Sequence, residues 1–153
     1  MLYTVAGNAG SANITAATAG LAAIYNPASV STVFSKIKEF EVGPQANSAD
    51  NTYGIQLKRF TGTVGVGTAF TPSANDGHTT TALTTAYVAQ TTAFGTPGVV
   101  LASFGYHMRG GYRYVPIPGA EFAIQGLFGA AIVLSYIFTQ GTDVQSATIV
   151  FDE

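Results

Sequence analysis

Two neighbouring stretches of sequence decide the fold class, because both combine strand-forming residues with an alternating pattern. Residues 31–42 read STVFSKIKEFEV, and residues 53–63 read YGIQLKRFTGT. Gly43-Pro44 and a polar segment rich in Asn, Ser and Asp lie between them, which is typical of a loop. Alternation with period two indicates β-strands whose two faces meet different surroundings. The pair therefore predicts two consecutive strands separated by a loop.

The first of these strands carries charged residues on both of its faces. One face holds Phe34, Lys36, Lys38, Phe40 and Val42, and the other holds Val33, Ile37, Glu39 and Glu41. A strand that packs on a core normally keeps one face apolar. The mixture therefore predicts that this strand lies at a sheet edge or a subunit boundary, or that it contains a β-bulge.

The rest of the chain repeats short strands and turns. Further strands are predicted at residues 83–90, 99–106, 122–125, 130–139 and 146–151. Gly95-Thr96-Pro97-Gly98 is a turn signal, residues 62–67 predict a Gly-rich hairpin, and Asp152-Glu153 predicts a solvated tail. Strands at spacings of roughly 8–12 residues are typical of sandwiches and barrels. We expect an all-β, antiparallel β-sandwich of jelly-roll-like type.

The beginning of the chain has a different composition from the rest. Residues 1–23 are rich in Gly, Ala, Asn and Thr and poor in aromatic residues. We expect this stretch to form an extended N-terminal arm with room for one strand, and its composition predicts that it reaches a neighbouring chain. Residues 24–153 are then expected to form a single β-sandwich domain.

Charged residues are scarce in this chain. They make up 9% of its 153 residues, against roughly 25% in an ordinary soluble domain, and the formal net charge is −2. Residues 1–35 and 77–108 contain no Asp, Glu, Lys or Arg. This balance excludes a basic nucleic-acid-binding surface and intrinsic disorder. A polar but uncharged surface favours a protein that associates with copies of itself or with a partner; the alternative is a soluble domain with a Thr-rich face.

Several other protein classes are also excluded or disfavoured. The chain has no Cys, so disulfides, thiolate metal sites and Cys nucleophiles are absent. Met1-Leu2-Tyr3-Thr4 lacks the basic residues of a secretory signal. Residues 122–142 are uncharged and long enough for a membrane span, but Gly and Gln residues interrupt them. We interpret them as two buried strands joined at a Gly-containing bend, and we expect no membrane contact.

The sequence offers only weak candidates for catalytic chemistry. Asp76 and His78 are an i, i+2 pair without an identifiable third partner, and His107 at a strand end is expected to be hydrogen-bonded in packing. The glycines of residues 62–67 lack the Lys and the helix that a phosphate-binding loop requires. Glu39 and Glu41 resemble a glycosidase pair in spacing, but lysines are interleaved with them. We therefore predict no enzyme activity, no metal site and no cofactor.

The densest group of residues typical of a functional surface begins at the end of the strand at 99–106. Its members are Tyr106, Arg109, Tyr112, Arg113 and Tyr114. Tyr and Arg are enriched at protein interfaces because they bury a large area and keep a polar group. These residues are our candidate interface. Packing within the sheet, with Arg stacked on Tyr, and a carbohydrate platform are the two alternatives.

Several motifs resemble those of small structural proteins of tailed phages and prophages. They are residues 26–30 (NPASV), 36–43 (KIKEFEVG), 55–60 (IQLKRF) with Thr71-Pro72, 110–114 (GGYRY) with Pro116, Pro118 and Gly119, 132–138 with Gly141, and 147–153. Together they cover about residues 24–153. These motifs are structural and carry no catalytic residue with them.

The resemblance is to the cement, or decoration, proteins that bind phage heads, which are β-sandwiches. It implies a homotrimer placed over the junctions between major capsid protein subunits, on the outside of a virion assembled in the host cytoplasm. The expected function is therefore stabilisation of the phage head, with the protein itself and the major capsid protein as partners. The alternative is a head-fibre or tail-associated domain that binds a receptor or carbohydrate.

Overall fold

Eleven β-strands form the described part of the protein. The computed structural model describes residues 1–9, 20–26, 34–44, 52–62, 68–78, 80–88, 95–107, 109–124, 130–137 and 145–153. The strands are β1 (Leu2–Ala9), β2 (Gly20–Asn26), β3 (Ser35–Pro44), β4 (Thr52–Thr61), β5 (Thr68–Phe70), β6 (Thr85–Val88), β7 (Thr96–His107), β8 (Tyr112–Tyr114), β9 (Phe122–Ile124), β10 (Ala130–Tyr136) and β11 (Gln145–Asp152). The predicted all-β fold class is confirmed.

The strands build two antiparallel sheets that face each other. The five-stranded sheet has the order β1-β11-β3-β8, and β9 pairs with β3 on the same side as β8. The six-stranded sheet has the order β5-β6-β2-β10-β4-β7. Consecutive strands β1 to β4 alternate between the sheets, so the chain crosses the sandwich at each of these connections. Each sheet thus contains strands that are distant in sequence.

The main core lies between the two sheets. The five-stranded sheet contributes Tyr3, Val5, Ile37, Phe40, Val42, Ala147, Ile149 and Phe151, and the six-stranded sheet contributes Leu21, Ala22, Ile24, Tyr53, Ile55, Leu57, Ala86, Tyr106 and Ile132. In β11 the buried residues alternate strictly with half-buried ones, as period-two packing on one face requires. Burial of this apolar area is the main favourable term in folding.

A β-bulge in β3 explains why charges fall on both faces of its sequence. Val150 of β11 pairs with Glu39, but the next residue, Phe151, pairs with Ile37. Lys38 is therefore the extra residue, and the inward-facing set shifts from Ile37 to Phe40. A bulge adds one residue to one strand and changes which side chains face the core. The bulge predicted as one of three alternatives is therefore present.

The expected N-terminal arm is built into the sandwich over its described residues. β1 pairs with β11 along its whole length, from Leu2 with Asp152 to Ala9 with Gln145. β2 lies between β6 and β10 in the six-stranded sheet, and the expected boundary after residue 23 falls inside it. The physical reason is apolar burial, because Tyr3 and Leu21 lie in the core. Residues 10–19 lie outside the described part.

Three local expectations have different outcomes. The two strands predicted within residues 122–142 are confirmed as β9 and β10, and the predicted bend between them lies outside the described residues. No helix in the described ranges is long and apolar enough to cross a membrane. The turn predicted at Gly95–Gly98 is wrong, because β7 starts at Thr96 and Pro97 pairs with Phe60. Proline is tolerated there because β7 is an edge strand.

Candidate assembly surface

The predicted interface residues divide between the inside and the outside of the sandwich. Tyr112 and Tyr114 of β8 point inward and pack against the core, whereas Arg113 between them is exposed. This division follows from the pleat of a strand, in which successive side chains point to opposite faces. The ring of Tyr112 stacks on Phe104 at a centroid distance of 4.1 Å. The rings of Tyr112 and Tyr114 thus pack against the core, as expected if these tyrosines pack within the sheet.

Tyr106 is the most deeply buried member of the predicted group. It is 4% exposed and its ring lies 6.0 Å from that of Tyr53, the residue that it pairs with across β4 and β7. Its hydroxyl group is buried and has no hydrogen-bond partner among the described residues. Burial raises the pKa of Tyr106 well above its ordinary value, so the hydroxyl stays protonated.

The two arginines occupy the outer side of the same region. Arg113 forms a bidentate pair with Glu39, with its Nε 2.6 Å from Oε1 and its Nη2 2.9 Å from Oε2. This guanidinium lowers the pKa of Glu39. The backbone N–H of Arg109 donates to Nδ1 of His107 at 3.3 Å, within the turn that leads from β7 to β8. The guanidinium of Arg113 thus faces the carboxylate of Glu39 on the outer side of the sheet.

A loop that projects from one edge of the five-stranded sheet has the most exposed apolar side chain among the described residues. We call residues 115–121, between β8 and β9, the β8–β9 loop. Ile117 is 77% exposed and Val115 is 59% exposed, while Pro116 between them is buried. Because β8 and β9 pair with successive parts of the same strand, the loop leaves and rejoins the edge of β3.

The tip of this loop is a hydrogen-bonded turn. The N–H of Ala120 donates to the carbonyl of Ile117 at 2.9 Å, and the two residues inside this turn are Pro118 and Gly119. Gly119 has a φ of +91°. A positive φ at the third position with proline at the second is the pattern of a type II turn, which requires glycine there. The turn fixes the backbone next to Ile117.

Glu121 joins this turn to β3. One of its carboxylate oxygens accepts from Lys38 Nζ at 2.9 Å, and the other accepts from the N–H of Gly119 at 2.8 Å. The carboxylate is well shielded, since the Glu121 side chain is 10% exposed. The Lys38 ammonium, followed by backbone N–H donors, lowers the pKa of Glu121 to about 2. The bulged residue of β3 therefore anchors the loop.

The weak catalytic candidates do not combine into a site within the described ranges. Asp76 Oδ1 accepts from the N–H of His78 at 3.1 Å, and the two side chains are 51% and 70% exposed. Among the described residues no group of three His, Cys, Asp or Glu side chains could hold a metal ion. Glu39 is paired with Arg113 rather than placed opposite Glu41. Residues 63–67 of the predicted Gly-rich hairpin lie outside the described part.

Sequence analysis missed Ile117 and Glu121 as the exposed and anchoring residues of this surface. Pro116-Ile117-Pro118-Gly119 was recognisable as a turn, because Pro presets φ and Gly supplies a positive φ, but the sequence does not show that Ile117 is exposed. The hydrogen bond from Lys38 to Glu121 joins residues 83 positions apart and has no local signal.

We expect Tyr106→Phe to keep the free energy of unfolding or to raise it by up to about 1–2 kcal/mol. The phenylalanine removes a buried hydroxyl that has no partner among the described residues, and an unsatisfied buried polar group costs about 1–3 kcal/mol. Tyr106→Ala, the matched variant, should lose about 3–5 kcal/mol because it leaves a cavity. Urea unfolding measures both. A loss above about 1 kcal/mol in Tyr106→Phe would contradict this assignment of the hydroxyl.

The β8–β9 loop should also respond to acid in a defined pH range. The folded-state pKa of Glu121, about 2, lies below its ordinary value of 4.5. The stabilising contribution of its carboxylate is therefore fully present above pH 4.5 and is lost as the pH falls from there through about 2. We expect Lys38→Met to move the pKa of Glu121 upward, as measured by NMR titration of its carboxyl carbon. Lys58→Met on β4 is the control and should leave this titration unchanged; an unchanged pKa in Lys38→Met would refute the anchoring role.

Comparison of the chain with protein-family models, curated proteins and solved structures finds no match. The resemblance to phage cement proteins therefore rests on the sequence motifs alone.

Proposed function

We propose that this protein is a virion structural protein that binds the outside of a phage head and stabilises the shell. It acts as a homo-oligomer, with a trimer as the expected form, and its second partner is the major capsid protein. It is made in the host cytoplasm and ends in the virion. The activity is adhesion, so the surface contacts themselves are the functional element.

The exposure of Ile117 on an anchored loop is the observation that carries this proposal. An isolated exposed apolar residue is common on proteins, so exposure alone does not mark a contact site. Here the type II turn and the Glu121 carboxylate hold the residue in place before any partner binds. Preorganised contact residues reduce the entropy lost on binding. Such a feature suits a protein whose task is attachment.

The strand order adds support of a second kind. Strands β1, β11, β3 and β8 face strands β2, β10, β4 and β7, and the chain crosses between these two groups. This order favours the jelly-roll-like type of sandwich, an architecture used by viral shells and by lectins. The shared architecture is an analogy and says nothing about contacts, which is why the exposed loop carries the argument.

The adhesion mechanism follows from multivalency. An oligomer that bridges several capsid subunits makes each further contact effectively intramolecular, so modest contacts add up to tight attachment. The added interface lies at the seams where a shell under internal pressure would separate. A surface with few charges makes these contacts through apolar area and backbone hydrogen bonds. Attachment of this kind depends little on salt.

The alternative function, carbohydrate or receptor binding on a head fibre or tail, has less support. A sugar platform needs aromatic rings that are open to solvent. Tyr106 is buried, and Tyr112 and Tyr114 pack their rings against Phe40 and Phe104. The geometry of these three side chains therefore favours attachment over sugar stacking.

Attachment can be tested with phage heads assembled from the major capsid protein that is encoded in the same genome. We expect the purified protein to sediment with these heads, and to lose less than about threefold in affinity between 0.05 and 0.5 M NaCl. Heads that already carry a saturating amount of the protein are the control for non-specific sedimentation. Release of the protein by moderate salt would refute the apolar mechanism, and no sedimentation would refute the proposed function.

A further inference from the structure

We infer that Asp76 and Gly77 form a site of spontaneous self-modification, at which the aspartate rearranges to isoaspartate. The reaction needs no enzyme and no second substrate, so the inference does not depend on the proposed function. Asp-Gly is the aspartyl sequence most prone to this rearrangement, because glycine has no side chain to hinder its backbone nitrogen. The sequence Asp-Gly occurs once in this chain.

The site lies in the loop between β5 and β6, beyond the contacts that close the base of the loop. Ser73 forms a bridge with Thr81, and the N–H of Ala82 donates to the carbonyl of Pro72 at 3.2 Å. The Asp76 side chain beyond this base is 51% exposed. Loop tips with small and polar residues are the places where a folded chain is most open to chemical attack.

The backbone at Gly77 is free to rotate. Its φ is +77°, which glycine adopts without strain. Apart from its chain neighbours, no described atom lies within 4 Å of the position where a Cβ would stand on Gly77. Ring closure between the Asp76 side chain and the Gly77 nitrogen requires rotation at this point of the chain. The described surroundings do not obstruct it.

His78 gives the two carboxylate oxygens of Asp76 different surroundings. Its backbone N–H donates to Oδ1 at 3.1 Å, and its Nε2 lies 4.0 Å from Oδ2. The N–H can stabilise the negative charge that Oδ1 gains when the carboxyl carbon becomes tetrahedral. The imidazole, when protonated, can give a proton to Oδ2, the oxygen that leaves. Both groups therefore favour attack on the Asp76 carboxyl carbon.

The rearrangement has two steps, and the carboxyl group reacts in its acid form. In the first step the Gly77 nitrogen bonds to Cγ of Asp76 and the Cγ–Oδ2 bond breaks. The amide proton and the hydroxyl group leave as one water, and a five-membered succinimide ring forms. In the second step water opens the ring at the former backbone carbonyl of Asp76. The chain then continues through Cγ and the old carbonyl becomes a free carboxylate, so mass and charge are unchanged.

The rearrangement affects a part of the loop that covers a sheet edge. The N–H of Asn75 donates to the carbonyl of Leu2 at 2.9 Å, and Ala74 forms a bridge with Tyr3. These contacts tie the loop to β1, the outer strand of its sheet. Isoaspartate lengthens the main chain by one carbon atom directly after Asn75. We expect this change to weaken both contacts and to uncover the edge of β1.

The site is tested by incubating the purified protein in warm, mildly acidic buffer made with oxygen-18 water. After proteolysis, we expect the Asp76 peptide to separate into two chromatographic forms of the same sequence, with one heavy oxygen in the new form. Protein isoaspartate methyltransferase should label the new form only. Asp152 is the internal control, because Glu153 follows it and the Met1 amine holds its carboxylate at 2.7 Å. No conversion at Asp76, or equal conversion at both residues, would overturn the inference.

Variants separate the roles of the side chains. His78→Ala removes the imidazole but keeps the backbone N–H, and we expect it to slow conversion at least about threefold. Asp76→Glu should abolish conversion, because its ring would have six members. Thr80→Ala, an exposed change in the same loop, is the control and should alter the rate less than about twofold. An unchanged rate in His78→Ala would refute the role of the imidazole.

A synthetic peptide of residues 71–83 separates the effect of the fold from that of the sequence. We expect the folded protein to convert at least as fast as this peptide, because the loop is open and His78 is in place. Conversion more than about tenfold slower in the folded protein would mean that the loop protects Asp76, and it would overturn the inference.

Amide hydrogen exchange measures the consequence for β1. In protein enriched in isoaspartate, the N–H of Asn75 should exchange at least about threefold faster than in fresh protein. The N–H of Ile149, in the core strand β11, is the control and should keep its exchange rate. Unchanged exchange at Asn75 would refute the opening of this edge.

Discussion

The burial of Phe40 between the two sheets is the constraint from which much of the described structure follows. Its ring is fully buried and stacks on Phe104 of the opposite sheet at 5.3 Å and on Tyr114 of the neighbouring strand at 5.2 Å. Phe40 and Ile37 are three residues apart, so both can face inward only if β3 gains one residue between them. The bulge at Lys38 supplies that residue. It also places the Lys38 ammonium beside Glu121, so core packing and the anchoring of the exposed loop are linked.

Three close ion pairs involve five of the few charged side chains of this protein and its Met1 amine. Lys38 pairs with Glu121, Arg113 with Glu39, and the Met1 amine with Asp152. Pairs of opposite sign cancel each other beyond a few ångströms, and salt screens what remains. A protein arranged in this way produces little field to steer a charged partner over a distance. Recognition then depends on shape and apolar contact, which is consistent with an exposed isoleucine at the proposed contact.

Sequence alone predicted the fold class because alternating apolar and polar residues, or short apolar runs, indicate several of the strands. The pattern at residues 53–63 marks β4, and the apolar run at residues 130–139 marks β10. The same principle, applied to Tyr112-Arg113-Tyr114, shows why the members of the predicted interface do not all lie on one face of the strand. Side chains that are neighbours in sequence face opposite sides of a strand, so the tyrosines joined the core and the arginine stayed outside.

Other features had no local signal in the sequence. Pro97 reads as a turn residue, and only the edge position of β7 makes a strand possible there. The composition of the first residues, which are small and uncharged, predicted an extended arm. In the structure, β1 pairs with β11 along its whole length. Glu153 reads as solvated, but it accepts two backbone N–H groups from a loop 70 residues away. In each case a contact between distant parts of the chain decides the outcome.

Two of the sheet edges, formed by β1 and β7, carry features that hinder the addition of a strand from another chain. Unpaired edge strands can add a strand from another chain, and proteins prevent this with prolines, bulges and covering bridges. The outer strand β7 contains Pro97 and two shifts of register. At the opposite sheet, β1 is bridged by Ala74, and the N–H of Asn75 donates to the carbonyl of Leu2. With these two edges impeded, the proposed attachment rests on side chains that project from the surface, and the anchored loop that carries Ile117 is the described feature that supports it.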